Sequence, residues 1–268
     1  MRTKGDPESP PNRGEICKIG EAALEYINSP ERLTHPLKRV GERGEGKWQR
    51  VSWDEALTIT ADALNRIKKQ YGPEAVFMSH GSAKGFIDTH LVRFANVFGT
   101  PNIISADHVC HVPRMLAAEY TLGFFPGYFA GSEWGQPACI VSWGANKQNT
   151  RFYTHNNFVN AAKKGTKLIV IDSLITELAK IADLCLQPRP GTDLALALGI
   201  MNVIINEKLY DQEFVSKWTV GFDRLKTHVQ QYTPDKVAEI TWITADQIAK
   251  VARLYATNKP GHIEQGNA

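Results

Sequence analysis

The sequence contains few cysteines, and their spacing does not suit a metal-binding motif. The four cysteines are Cys17, Cys110, Cys139 and Cys185, and no two of them stand at CxxC spacing. The chain therefore contains no complete zinc or iron–sulfur motif. A disulfide scaffold is also disfavoured, because such scaffolds occur in short chains with a much higher cysteine density.

Long hydrophobic runs and a strong net charge are missing as well. No stretch of about 18 apolar residues occurs, which argues against a membrane-spanning helix. The formal net charge of +3 is too small to indicate a nucleic-acid partner or an acidic membrane surface. The polar segment Met1–Pro11 lacks the apolar region of a signal peptide. The compartment, cytoplasmic or periplasmic, stays open, because we expect the natural N-terminus to lie further upstream.

The chain has 268 residues, of which 43% are hydrophobic, and these suffice for one large domain or two modest ones. Residues 1–50 are rich in glycine, proline and charge, so we predict irregular structure with one short helix over residues 21–26. We interpret a group of basic side chains in this segment as part of a solvated loop. The group comprises Lys38, Arg39, Arg43, Lys47 and Arg50.

From residue 52 onward, the apolar residues follow helical and strand periodicities in alternation. Ser52 or Asp54 caps a predicted helix that ends at Gly72-Pro73. The alternation predicts βαβ units, and so an α/β fold with doubly wound parallel sheets and helices on both faces. A new strand begins near residue 261, so we expect the natural protein to continue. The predicted strands are 75–78, 138–143, 167–171 and 184–186, and the predicted helices are 87–98, 151–163, 194–205 and several over 211–256.

Three loops follow predicted strands, at the position where ligands bind in an open α/β sheet. Gly144 and Asn146 lie in the first loop, where glycine lets a phosphate approach the backbone and the next helix offers free N–H groups. An ordinary tight turn is the alternative there. Asp172 follows the second strand and could accept hydrogen bonds from ribose hydroxyls, or else Asp172 or Ser173 caps a short helix.

The third loop contains Gly191, Thr192 and Asp193 and precedes a predicted helix. Thr192 is suited to capping that helix, whereas the carboxylate of Asp193 matches the N1–H and N2–H donors of guanine. Taken together, the three loops predict a nucleotide that lies across the strand ends.

Cys110 precedes an amphipathic helix that continues over residues 115–122, with Pro113 in its first turn. The dipole and free N–H groups of a helix N-terminus favour thiolate, which is the form that binds a soft metal. A small buried cysteine is the alternative. His108 and His111 could donate hydrogen bonds near a metal or move protons, and a purely structural role is the alternative for His108.

A series of short motifs runs along the whole chain. They are Gly5–Pro10, Gly14–Cys17, Arg32–Gly41, Lys47–Ala56, Val109–His111, Trp143–Asn146, Ile171–Asp172 and Arg189–Asp193. This ordered set resembles the molybdopterin oxidoreductases of the dimethyl sulfoxide reductase family, over essentially all 268 residues. The resemblance implies a molybdenum or tungsten ion held by two molybdopterin guanine dinucleotides.

The resemblance also implies roles for individual residues. Cys110 stands where a protein ligand commonly completes the metal site in the family. The loops 144–146 and 191–193, together with Asp172, stand where the family contacts the dinucleotides. Ser173-Leu174 replaces the Pro-Arg pair that often follows this aspartate, so one dinucleotide contact is expected to differ.

Cys17 resembles the last of four cysteines that hold a [4Fe–4S] cluster in many members, and the other three would lie upstream. A basic residue often stands two positions after this cysteine, between cluster and pterin. Here Lys18 is one position after it and Ile19 is two, so Lys18 is a candidate cofactor contact that departs from the pattern. The resemblance divides the chain into a remnant of the cluster domain, part of an α/β cofactor domain and a truncated Rossmann-like dinucleotide domain, over residues 1–45, 46–105 and 106–268.

The family implies two-electron redox or atom-transfer chemistry on a small molecule. The Cys110-His111 pair is most similar to members that act on sulfur compounds, such as thiosulfate or polysulfide reductases. Two alternatives stay open: a non-redox tungsten hydratase resembling acetylene hydratase, and a metal-free electron-transfer subunit resembling the large iron–sulfur subunit of respiratory complex I. Cys110 argues against the second. The expected partners are an iron–sulfur electron-transfer subunit and a membrane-anchor subunit, besides the small-molecule substrate.

Overall fold

The chain forms two compact units in a computed structural model. One, the first unit, comprises Met1–Thr3 and Ala22–Pro126, and the other, the second unit, comprises Lys4–Glu21 and Gly127–Ala268. The segment boundaries expected at residues 45 and 105 stay a prediction. The residues that the structure describes are 3–10, 12, 14–82, 86–124, 136–150 and 152–266.

Helices and strands alternate through most of the described residues. The helices are α1 (Lys18–Glu21), α2 (Ala23–Ile27), α3 (Trp53–Tyr71), α4 (Phe86–Phe98), α5 (His111–Leu122), α6 (Lys147–Thr150), α7 (Phe152–Lys163), α8 (Asp193–Asn206), α9 (Gln212–Trp218), α10 (Phe222–His228), α11 (Pro234–Thr241) and α12 (Ala245–Thr257). The strands are β1 (Leu37–Arg39), β2 (Trp48–Arg50), β3 (Met78–His80), β4 (Ile103–Ser105), β5 (Cys139–Trp143), β6 (Lys167–Ile171), β7 (Leu184–Leu186) and β8 (Gly261–Gln265). Among these residues, no helix is both long and apolar enough to cross a membrane.

In the first unit, β1 and β2 pair as an antiparallel hairpin. The irregular structure and solvated loop predicted for this stretch are therefore partly wrong, because Lys38, Arg39 and Arg50 lie in its strands. Every side chain of these three-residue strands is exposed. Without a buried face, the strands carry no alternation of apolar and polar residues that would predict them.

Helix α3 begins and ends where the sequence predicts. Of the two capping candidates, Ser52 is the cap, since its hydroxyl oxygen accepts a hydrogen bond from the backbone N–H of Glu55 at 3.1 Å. The helix ends at Gly72, whose φ of +86° suits a residue without a side chain. These signals are local, so they operate independently of the packing around the helix.

Strands β3 and β4 form a parallel pair in the first unit. The strand predicted over residues 75–78 is wrong except for Met78, because Pro73–Ala75 form a 3-10 turn. Proline suits the first position of such a turn, where no backbone N–H is needed. The carbonyl of Val76 then accepts a hydrogen bond from the hydroxyl of Thr100 at 2.7 Å instead of joining a strand ladder.

The second unit contains a sheet of four parallel strands in the order β7-β6-β5-β8. The strands predicted at 138–143, 167–171 and 184–186 are confirmed as β5, β6 and β7. The strand expected near residue 261 is β8, and it pairs with β5.

Helices cover both faces of this sheet. Successive residues of a strand point to opposite faces. Leu168 and Val170 therefore pack on one face with Phe158 of α7, whereas Ile169 and Ile171 pack on the other in a cluster that includes α8, α11 and α12. All four strand residues are at most 1% exposed. A strand buried on both faces is a continuous apolar run, and the predicted α/β fold is confirmed.

Candidate functional site

The sheet of the second unit reverses its strand order at β5. From β5 the chain continues to β6 and β7 on one side, whereas β8 lies on the other side. In open α/β sheets, such a reversal leaves a crevice beyond the carboxyl ends of the strands, and ligands bind there. Because all four strands are parallel, the loops after β5, β6 and β7 lie at this same edge.

The loop after β5 is held by backbone contacts to two neighbouring strands. Gly144 has a φ of +56°, and its N–H donates to the carbonyl of Ile171 at 2.8 Å. The N–H of Gly266, just after β8, donates to the carbonyl of Trp143 at 2.8 Å. A Cβ atom on Gly266 would lie 1.7 Å from the carbonyl oxygen of Gly144, so this approach requires glycine. Sequence reasoning missed Gly266, since no local pattern around it predicts its contact with Trp143 and Gly144.

A buried ion pair ties the same loop to β8. The carbonyl of Asn146 accepts the N–H of Asn149 at 3.1 Å, and α6 starts at Lys147. The side chain of Lys147, only 7% exposed, forms an ion pair with Glu264, and the imidazole of His262 lies 3.6 Å from the same carboxylate. Burial raises the pKa of Glu264, but the hydrogen bonds and charges of His262 and Lys147 outweigh it and lower the pKa to about 2. The carboxylate therefore stays ionised at neutral pH.

Asp172 follows β6 at the same edge. Its backbone N–H donates to the carbonyl of Leu186 at 3.1 Å, and its Oδ1 accepts from the N–H of Leu174 at 2.9 Å. The carboxylate thus closes a tight turn. The alternative in which Asp172 or Ser173 caps a helix is wrong, because in the described residues the next helical turn begins only at Ala179.

The third loop contacts the first through one side-chain hydrogen bond. The indole N–H of Trp143 donates to Oδ1 of Asp193 at 2.7 Å. Gly191 has a φ of +81°. Thr192 precedes α8, but its hydroxyl donates to the carbonyl of Arg189 at 2.6 Å and makes no capping bond, so the expected side-chain cap is wrong. Asp193 is the first residue of α8.

In the first unit, a 3-10 turn over Ala106–Val109 leads to Cys110. The hydroxyl oxygen of Ser105 accepts the N–H of Asp107 at 3.2 Å, and the N–H of Ser105 donates to Nδ1 of His108 at 3.1 Å. This reciprocal cap stabilises the start of the turn. It supports the structural alternative for His108.

Cys110 is the residue immediately before α5, and His111 is the first residue of that helix. The N–H of Cys110 donates to the carbonyl of Asp107 at 3.2 Å. The side chain of Cys110 is half-buried and makes no capping hydrogen bond to the described residues of α5. The thiol thus lies at a helix N-terminus, as the sequence predicts, but its sulfur accepts no capping hydrogen bond from the described backbone N–H groups there.

One polar side chain from the loop after β3 contacts this turn. His80 ends β3 directly opposite Ser105 at the end of β4. The hydroxyl of Ser82 donates to Oδ1 of Asp107 at 2.7 Å, and Nδ1 of His80 lies 3.1 Å from Oδ1 of Asp88. Sequence reasoning did not predict the contact of Ser82 with Asp107, because it depends on the pairing of β3 with β4.

Cys17 and Lys18 lie in the N-terminal segment of the second unit, and both side chains are exposed. The sulfur of Cys17 accepts the N–H of Gly20 at 3.4 Å, and Lys18 pairs with Glu21 at 2.8 Å. No group of three or more histidine, cysteine or acidic side chains that could hold a metal occurs in the described part of the chain. The single thiolate of Cys17 does not by itself fit a [4Fe–4S] cluster, which is commonly held by four cysteines.

Comparison with known proteins shows similarity to one family over most of the chain. Residues 32–256 match the family model described as molybdopterin oxidoreductase. Acetylene hydratase from Syntrophotalea acetylenica is 41% identical over 265 residues, which are 96% of the chain and 35% of that protein. The molybdopterin-containing subunit PhsA of thiosulfate reductase from Salmonella typhimurium is 34% identical, over 96% of the chain and 33% of that protein. Formate dehydrogenase H from Escherichia coli is also 34% identical, over 95% of the chain and 36% of that protein.

A solved structure resembles the chain over nearly its whole length. Acetylene hydratase from Pelobacter acetylenicus matches with a TM-score of 0.76 and 39% identity, over 96% of the chain and 35% of that protein. The chain thus spans about a third of the length of the curated relatives that it matches.

Proposed function

Because the chain belongs to the molybdopterin oxidoreductase family, we propose that it carries cofactor-binding elements of a molybdenum or tungsten enzyme. Members of the family bind the metal through two molybdopterin guanine dinucleotides. The proposed reaction is a two-electron redox or atom transfer on a small molecule, with a sulfur compound as the proposed substrate class. The observation that carries the proposal is the position of three loops at one sheet edge, where the hydrogen bond from Trp143 to Asp193 joins the first loop to the third.

The edge offers groups that suit each part of such a dinucleotide. The loop 144–146 presents a left-handed glycine and the start of a helix, which suit a pyrophosphate. A carboxylate has about four acceptor positions, so Asp172 can bind ribose hydroxyls while it accepts the Leu174 N–H. Asp193 is proposed to bind guanine. A Cβ built on Gly191 would meet no atom within 4 Å, so the space beside this residue is open. Thr192 is proposed as a further contact in the same loop.

Cys110 is the proposed protein ligand to the metal. Its half-buried thiol lies at the N-terminus of α5, and a cysteine sulfur is a ligand that a soft metal prefers. His111 is proposed to donate a hydrogen bond or hold a proton beside the bound group. When bound, the metal supplies the two-electron chemistry, and the chain orients it and excludes water. Lys18 as a contact of the cofactor stays a prediction.

A non-redox hydratase is the second candidate. It is favoured by the 41% identity to acetylene hydratase and by the TM-score of 0.76 to a solved acetylene hydratase. A metal-free electron-transfer subunit is less favoured, because Cys110 presents a thiol suited to a metal. Since relatives are named as a subunit or chain of reductases, we further propose an iron–sulfur electron-transfer subunit and a membrane-anchor subunit as partners.

Metal and nucleotide analysis tests the proposed function. The protein is produced with molybdate or tungstate, and the metal is measured by mass spectrometry beside the guanine nucleotide released by acid. We expect both in the wild type and a severalfold loss of metal in Cys110→Ala. Cys185→Ala, a half-buried cysteine of β7, is the matched control and should keep the metal. Unchanged metal content in Cys110→Ala would contradict the ligand role.

Two assays on the metal-loaded protein separate the candidate reactions. Reduced viologen dye is oxidised by a thiosulfate or polysulfide reductase, whereas a hydratase converts acetylene to acetaldehyde with no net electron transfer. Dye oxidation that depends on a sulfur compound supports the redox proposal. Hydration without dye oxidation supports the second candidate.

A further inference from the structure

The hydrogen bond between Trp143 and Asp193 joins two residues that lie 50 positions apart. Trp143 ends β5, the strand at which the sheet reverses its order, and Asp193 begins α8. Asp193 is exposed and Trp143 is half-buried, so the carboxylate faces solvent at the edge while the indole lies behind it. This bond is the one side-chain link between the first and third loops among the described residues.

The backbone that carries the indole is fixed, because Trp143 is part of the central ladder. Trp143 pairs with Ile171 of β6 on one side and with Gln265 of β8 on the other. Its carbonyl also accepts the N–H of Gly266 at 2.8 Å. A donor fixed on such a strand can fix the group that it binds.

An aspartate carboxylate without such a partner rotates readily, since its terminal torsion is broad. The Trp143 N–H occupies one acceptor position of Oδ1 and so fixes the plane of the Asp193 carboxylate. About three acceptor positions remain, spread over both oxygens. Two of them, one on each oxygen, match the adjacent N1–H and N2–H donors of guanine. Cytosine presents an acceptor at the corresponding ring nitrogen and is repelled, and hypoxanthine lacks the N2 amino group.

We propose that Trp143 is a positioning residue that makes the Asp193 carboxylate selective for guanine. This inference rests on the proposed binding of a guanine dinucleotide at this edge and deepens it. Trp143 acts through Asp193, and the proposal requires no contact between Trp143 and the base. Its contribution is preorganisation, because the carboxylate is already oriented before the nucleotide arrives.

Calorimetric titration of the purified chain with GDP, IDP and CDP tests the proposal. The wild type should bind GDP about fivefold to tenfold more tightly than IDP, the effect of one net hydrogen bond. Trp143→Phe removes the N–H and keeps an aromatic ring, so the GDP-to-IDP ratio should fall to about two or less. Asp193→Asn should weaken GDP binding roughly 10- to 100-fold, the loss of a bidentate contact. Trp218→Phe is the matched control, at a position that is 77% exposed on α9, and should keep the ratio.

A merely structural tie predicts a different result. If Trp143 only holds the loops together, Trp143→Phe weakens the binding of GDP and IDP equally, and the ratio of their affinities stays the same. This result would overturn the inference about Trp143 and leave the proposed function standing. Equal binding of GDP and IDP by the wild type would also overturn the inference alone. If the wild type binds none of the three nucleotides, the proposed function fails together with the inference.

A measurement on the wild type covers the case in which Trp143→Phe does not fold. The indole N–H resonance of Trp143 in a nitrogen-labelled sample reports its bond to Asp193 directly. We expect this resonance to shift when GDP binds, and to shift much less when IDP binds. An indole resonance that saturating GDP leaves unmoved would contradict the proposal.

Discussion

The candidate functional loops of the two units are held in different ways. In the second unit they follow strands of a sheet with its own core, in which Leu168 and Ile169 are completely buried. In the first unit the 19-residue helix α3 contains no buried residue, and Leu57 on it is 62% exposed. The Cys110 turn of that unit is held mainly by polar contacts of Ser105 and Asp107.

This difference teaches which kind of change disturbs which site. Packing in the core positions the loops of the proposed nucleotide edge, because their first residues continue buried strands. Local hydrogen bonds position Cys110, because the short strands before it contribute little buried surface. Truncation of a core side chain should therefore act on the nucleotide edge, and loss of a cap should act on Cys110.

The largest effect is expected from Ile169→Ala in β6. This side chain is completely buried, so its removal should lower the free energy of unfolding of the second unit by about 3–4 kcal/mol. Leu57→Ala in α3 is the matched control, and should cost less than about 0.5 kcal/mol. Urea denaturation with hydrogen exchange resolved by unit measures both. Equal losses for the two variants would contradict the distinction between the units.

An intermediate effect is expected from acidification, through the buried Lys147–Glu264 pair. The pKa of Glu264, about 2 in the folded chain, lies below its ordinary value of 4.5. The carboxylate therefore contributes stability above pH 4.5, and this contribution is lost as the pH falls towards 2. We expect a loss of about 2–3 kcal/mol across that window in the second unit.

Glu264→Gln tests the origin of this pH dependence. The glutamine cannot titrate, so stability measured by thermal melting between pH 4.5 and pH 2 should fall less steeply than in the wild type. Glu55→Gln is the control in the first unit, because Glu55 pairs with Lys38 at an exposed position and such pairs contribute little. A slope that Glu264→Gln leaves unchanged would rule out this carboxylate as the source.

The smallest effect is expected from Ser105→Ala. Loss of the cap should cost about 1 kcal/mol and loosen the turn before Cys110. Alkylation of Cys110 by iodoacetamide, followed by peptide mass spectrometry, should accelerate about fivefold. Thr244→Ala removes the equivalent cap of α12 in the second unit and should leave the Cys110 rate unchanged. The same acceleration in both variants would point to global loosening and against a local role.

Sequence reasoning predicted the sheet of the second unit closely and the first unit less well. A run such as Leu168–Ile171 is apolar at every position, because both faces of the strand are buried, and this pattern is visible in the sequence. The hairpin of Leu37–Arg39 with Trp48–Arg50 has no buried face and so left no pattern. The strand expected at 75–78 was misplaced because Pro73 starts a 3-10 turn there.

For the candidate site, sequence reasoning found the loops and missed what joins them. Gly191 and Asp193 were recognised from a short motif that follows a strand, which is a local signal. The contact of Asp193 with Trp143 was not predicted, because the two residues lie 50 positions apart and no local pattern links them. The roles assigned to these residues stay predictions until nucleotide binding is measured.

The sequence by itself determined the local elements and their class: the capped start of α3 at Ser52 or Asp54, its end at Gly72, and the alternation of buried strands with helices. Only the tertiary structure decided which loops meet. Lys147 and Glu264 lie 117 residues apart, and they pair because β8 lies beside β5. Capping and burial depend on a residue and its near neighbours, whereas strand order depends on how the whole sheet minimises its exposed apolar surface.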